Sequence, residues 1–180
     1  MRYWPVPNSY SKTVPVKGSP GSFWEDRGDR YHCGVDIYAP EGSDVCSVED
    51  CKDIGIGVCT SSKDVRYWNT THYILVKNKT GFVCKYAELG DVKVRAGEFV
   101  NASQLIASVG RVLNPDKINE ESPEYVQKLK AIGNLSMLHF ELYKKSSIID
   151  ERYDLGGSWF SNAKPKNLLD PGDYLNSIKS

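Results

Sequence analysis

Tyr31-His32-Cys33-Gly34-Val35-Asp36-Ile37-Tyr38-Ala39-Pro40 sets an imidazole and a carboxylate four residues apart and runs into a Pro-Glu-Gly turn. The apolar alternation of Val35, Ile37 and Ala39 predicts a short half-buried strand, with His32, Asp36 and Tyr38 on its more open face. Imidazole and carboxylate are both first-rank zinc ligands, so the pair is half of a metal site. The same spacing also suits a surface strand carrying a local ion pair. On this alternation Cys33 points away from His32 and Asp36 and reads as a small buried hydrophobe.

A complement lies a hundred residues on, in Leu135-Ser136-Met137-Leu138-His139-Phe140-Glu141-Leu142-Tyr143. Met137, His139, Glu141 and Tyr143 share one face of a predicted strand, and Leu138, Phe140 and Leu142 share the core face. Two strands distant in sequence can then supply three ligands to one metal and leave a fourth position for water, the mark of a catalytic rather than a structural zinc site. Between them, 44–49, 54–60, 73–78 and 82–87 read as successive strands with turn residues between, which predicts an antiparallel sheet. The fold class is therefore mainly β: one antiparallel domain with a groove and one short helix.

The order of these pieces resembles peptidase family M23, the LytM and lysostaphin type. His32-x-x-x-Asp36 with its proline turn and Leu138-His139-Phe140-Glu141 carry the resemblance. So do the hairpin from His72 to Leu89, which ends Tyr86-Ala87-Glu88-Leu89, the closing segment Leu105 to Gly110, and the tail motif Leu169-Asp170-Pro171-x-x-Tyr174-Leu175. Such enzymes cut peptide cross-bridges and stems in peptidoglycan, and some relatives have lost the activity. The resemblance implies Zn2+ held by His32, Asp36 and His139. It also implies two catalytic histidines, where this chain has Met137 and Glu88. A thioether takes no proton at neutral pH, whereas a carboxylate serves as general base in other zinc hydrolases. Two functions follow as expectations: a zinc peptidase with altered catalysis and Glu88 as base, or an inactive relative that keeps zinc and binds a peptide, glycan or protein. Tyr31, Tyr86 and His72 are candidates for substrate contact.

With 180 residues, 40% hydrophobic and 26% charged, the chain has material for one core, so 1–180 is expected to form a single domain. Its core would span about 18–143, with an extended proline-rich arm over 1–17, a helical insertion over 114–134 and a tail over 144–180. A net charge of +0 argues against a nucleic-acid partner. No apolar run is long enough to span a bilayer, and no export leader is visible at the N-terminus. The resemblance nonetheless implies work outside the cytoplasm on a peptide or peptidoglycan-like substrate.

Of five cysteines, Cys46 with Cys51, or Cys59 with Cys84 on neighbouring strands, are candidate disulfides in an oxidising compartment. In the insertion, Ser122 as N-cap, Pro123 at the first helical position and Gly133 as terminator predict a helix, with Tyr125, Leu129 and Ile132 on one face. That helix either walls the groove or is peripheral. The aromatics of Gly156-Gly157-Ser158-Trp159-Phe160 are expected to dock on the body.

Overall fold

Alternating apolar residues separated by tight turns produce nine strands among the described residues, all paired antiparallel. The computed structural model describes residues 1–28, 30–144 and 164–178; the Gly156–Phe160 loop lies outside them. The strands are β1 (Val35–Tyr38), β2 (Asp44–Cys46), β3 (Cys51–Thr60), β4 (Thr71–Asn78), β5 (Val83–Val92), β6 (Phe99–Val100), β7 (Leu105–Arg111), β8 (Ser136–Tyr143) and β9 (Leu168–Leu169). Their order across the sheet is β1-β8-β7-β5-β4-β3-β6, with β2 on β7 and β9 on β8.

The last long strand is central. β8 pairs with β1 along one edge, and along the other with β5 over 139–143 and β7 over 136–137. Every residue of β8 is buried, on both faces. Leu138, Phe140 and Leu142 enter the main core with Ile74, Tyr86 and Ile106, while Met137 enters a second cluster with Val112, Val126 and Leu129. The face read from sequence as open is thus covered. The segment before β1 lies over it, tied down by Asp36 N–H donating to Gly21 O at 2.9 Å.

Coverage from the other side comes from α1 (Glu124–Ile132). Its cap falls one residue later than predicted: Pro123 sits at φ −52°, ψ 142°, outside the helix, and is itself the N-cap. The Ser122 hydroxyl instead donates to Asn119 Oδ1. Gly133 closes the helix in the left-handed conformation at φ 77°, as its position predicts. Val126 and Leu129 face inward, but Ile132 is 61% exposed, because at 3.6 residues per turn it falls about a quarter turn away from the Val126–Leu129 stripe.

The proline-rich arm is extended and stitched to the sheet by Tyr3 N–H to Val48 O and Cys46 N–H to Pro5 O. From the tail, α2 (Gly172–Asn176) buries Tyr174 and Leu175 in the main core. All five cysteines are free thiols. The Cys59–Cys84 pairing fails on topology, since β4 lies between β3 and β5.

Candidate functional site

The register of β1 on β8 sets Asp36 opposite His139. His32 precedes β1, where its N–H donates to Glu25 O and its carbonyl accepts from Trp24 N–H, folding 24–32 back on itself. Gly34 makes the approach of the two strands feasible. A Cβ there would lie 2.4 Å from the Phe140 carbonyl oxygen and 2.9 Å from the His139 ring.

Three donor atoms meet as a result. His32 Nε2 is 2.9 Å from His139 Nδ1, and each is 3.0 Å from Asp36 Oδ1. All three residues are buried. The far side of each ring fixes its tautomer. His32 Nδ1–H donates to Ser22 O at 2.8 Å and His139 Nε2–H to Glu141 Oε1 at 2.9 Å. In neutral rings the two inward nitrogens are then bare lone pairs, facing each other and a carboxylate oxygen. Such a triangle needs a cation or a proton at its centre. Burial lowers the His32 pKa; it acts the same way on His139, but hydrogen bonds to Asp36, Cys33 and Glu141 hold that ring well above the ordinary imidazole value. Two imidazoles and one carboxylate, each backed by a partner, fit zinc.

Behind His139 lies a second buried set. Glu141 Oε1 accepts from His139, from Lys85 Nζ at 3.2 Å and from Cys33 Sγ at 3.3 Å, while Oε2 accepts from the Tyr143 hydroxyl. Burial alone would raise the Glu141 pKa; the Lys85 ammonium and His139 hold it below the usual carboxylate range. Cys33 is buried as expected, packed with Val83, Tyr143 and Leu168, but its thiol turns toward the outer edge of the His139 ring, with Sγ 3.7 Å from Nε2. Strand alternation begins only at Val35, so it does not govern Cys33. Burial pushes this thiol up to about 11, so it is neutral.

A cavity of about 320 Å³ opens over the triad. Met137, Leu129 and Val112 supply its apolar wall, and its charged lining includes Arg27, Arg30, Lys85, Asp64 and Glu88. Glu88 sits at a kink with φ 61°, where β5 leaves β8 after Ala87 and joins β7 at Leu89. The kink fits because Gly110 stands opposite: a Cβ there would meet the Glu88 carbonyl oxygen at 2.7 Å. Glu88 Oε2 is shielded from solvent and has no hydrogen-bond partner among the described residues. Burial, with the charge of Asp36, pushes its pKa up to about 7.

Among the other sequence candidates, Tyr31 lines the cavity and stacks on Trp24 with ring centroids 5.0 Å apart. Tyr86 does not reach it. That ring is fully buried in the main core, and its hydroxyl accepts from Val48 N–H at 2.9 Å, since the inward face of β5 carries it beneath the sheet. His72 is also outside the cavity lining, its Nδ1 at 3.1 Å from Gly90 O. Sequence reasoning did not single out Arg27, whose Nη2 donates to Asp36 Oδ2 at 2.9 Å. A basic residue in a charged loop gives no local signal of such a contact.

Residues 30–151 match the model of Peptidase family M23. Solved structures with a similar fold include the catalytic domain of the antimicrobial peptidase lysostaphin from Staphylococcus simulans, at 17% identity over 98% of this chain and 92% of that one, with a TM-score of 0.51. LytU is similar at 16% identity over 94% of this chain and 89% of its own, with a TM-score of 0.54. Against the longer lysostaphin chain from S. simulans the values are 16%, 98%, 56% and 0.55. No curated protein matches the chain.

Proposed function

The chain belongs to peptidase family M23, and from that premise we propose that it is a zinc-dependent endopeptidase acting on peptide bonds of a peptidoglycan-like substrate. The observation that carries this reading is the convergence of His32 Nε2, Asp36 Oδ1 and His139 Nδ1, with both ring tautomers set from behind. Zinc held there would supply a Lewis acid for the scissile carbonyl and make water acidic enough to attack near neutral pH.

The chain's own residues supply the rest. Glu88 is the general base. With a carboxyl oxygen shielded from solvent and unpartnered among the described residues, it takes a proton from the attacking water and returns it to the leaving amine. Its kinked backbone holds it at the end of the β5–β8 pairing, next to Ala87, the partner of His139. Glu141 keeps the His139 ring oriented, and Lys85 keeps Glu141 anionic. Met137 and Leu129 exclude water from one side of the cavity. Tyr31 stands at the cavity as a surface for the substrate peptide.

Met137 favours a second reading. The resemblance puts a proton-carrying histidine there, and a buried thioether supplies none. On that reading the protein is a metal-stabilised module that binds a peptide or glycan without cutting it. Elemental analysis of protein purified without added metal, followed by turnover of purified peptidoglycan and pentaglycine, separates the two. One zinc per chain with chelator-sensitive cleavage is the expected result. Zinc without cleavage supports the binding module; a His139→Ala protein that keeps zinc with unchanged affinity overturns the ligand set.

A further inference from the structure

Three cations line the cavity: Arg27, Arg30 and Lys85. Lys85 is engaged with Glu141, and Arg30 donates to the Tyr125 hydroxyl at 2.9 Å with its guanidinium over Trp68. Arg27 is placed differently. Its Nη2 donates to Asp36 Oδ2, while Oδ1 of that carboxylate is the oxygen facing both histidines. The guanidinium is therefore one carboxylate away from the point where the three donors converge.

It is also held rigidly. Glu25 Oε2 lies 3.4 Å from both Nε and Nη2 of Arg27 and is anchored in turn by Gly21 N–H at 2.9 Å. The Tyr125 ring packs against the guanidinium, 4.9 Å from Cζ to centroid. These contacts use Nε and Nη2; Nη1 has no hydrogen-bond partner among the described residues. The side chain retains 14% exposure, on a residue that lines the cavity. A fixed cation with a spare N–H, beside a point where an amide carbonyl would be attacked, has the form of an oxyanion donor.

Resting on the peptidase reading, we propose that Arg27 is a catalytic residue of this site. Its guanidinium donates a hydrogen bond to the scissile carbonyl oxygen as that oxygen takes up negative charge. When water oxygen bonds to the carbonyl carbon, the C=O π pair moves onto the oxygen and Arg27 stabilises it. When the pair returns, the C–N bond breaks and the amine leaves with the proton carried by Glu88. Because Arg27 stays charged throughout, it supplies electrostatic stabilisation while Glu88 handles the proton.

The test compares wild type, Arg27→Gln and Arg27→Lys, each with zinc content measured and kept saturating. Two readouts are taken: steady-state cleavage of pentaglycine, and calorimetric affinity for a phosphinic tetraglycine analogue, whose tetrahedral anion mimics the attacked carbonyl. Arg27→Gln is expected to lower kcat about 100- to 1,000-fold with KM changed less than about threefold, and to weaken phosphinate binding about 100-fold. Arg27→Lys keeps a cation at Asp36 but loses the planar fork, so it should fall between. If Arg27 merely positions Asp36, the variants lose zinc affinity, and raising zinc restores both readouts; that result overturns the proposal. So does unchanged phosphinate affinity in the zinc-loaded variants. A wild type that binds the phosphinate but cleaves nothing refutes the hydrolase reading, and the phosphinate affinities then decide whether Arg27 recognises the tetrahedral anion. A wild type that does neither refutes both.

Discussion

Glu88, the base we propose, combines a left-handed backbone with a carboxyl oxygen shielded from solvent. A non-glycine at φ 61° costs of order 1–3 kcal/mol and persists where its surroundings fix it. Glu88→Gln is expected to keep zinc and lose hydrolysis by at least about 100-fold, checked by metal analysis beside turnover. Its titration gives a second prediction. The folded pKa of about 7 lies above the ordinary 4.5, so the folded state binds the extra proton in that window. The metal-free protein should therefore lose stability relative to Glu88→Gln as pH rises from about 4.5 to about 7, by roughly 1–3 kcal/mol in denaturant melts. Gly34 is sensitive in another way. A methyl group 2.4 Å from the Phe140 carbonyl forces β1 off β8, so Gly34→Ala should cost about 1–3 kcal/mol and weaken zinc binding.

Elements decide how the site is enclosed. Leu129 of α1 packs with Val126 and Met137 and also lines the cavity. Leu129→Ala should lower stability by about 2–5 kcal/mol, measured by denaturant unfolding, and let water onto the apolar wall. At this scale the sequence was legible wherever a strand's own period ruled. The alternation in β8 assigned Leu138, Phe140 and Leu142 to the core and put His139 and Glu141 on the other face. It failed where a segment stops being a strand: Cys33 precedes β1, and its thiol turns toward His139 and Glu141, whereas His32 meets Asp36 on the face expected. It also gave no way to choose which tyrosine faces the cavity, so Tyr86 was a candidate although it caps Val48 from within the core. Contacts that depend on a loop folding back, such as Arg27 on Asp36, leave no local pattern. The helix was readable from Pro123 and Gly133, but its inward face was displaced, since Val126 rather than Ile132 meets the sheet.

For the whole molecule, a metal bound to the folded state alone adds stability by mass action. Zinc at about 100 times its dissociation constant contributes about 2.7 kcal/mol, which in a chain of this size is a rise in Tm of roughly 5–10 °C. A chelator should remove that increment from the wild type and have no effect on the Tm of His139→Ala. The single-domain expectation for 1–180 has its own test: one cooperative transition, reported alike by heat capacity and by ellipticity.

The triad's two imidazoles come from residues 107 positions apart, brought together only when β1 lies along β8. Closing so long a loop costs chain entropy that must be met before the donors converge, so an ion would have nowhere to bind until β1 and β8 have paired. Zinc bound there would be a latch on a finished structure, not a nucleus for it. Refolding rates should be the same with and without metal, and the metal should act almost wholly by slowing unfolding. During synthesis, the nascent chain would remain without a metal site until β8 had emerged and paired.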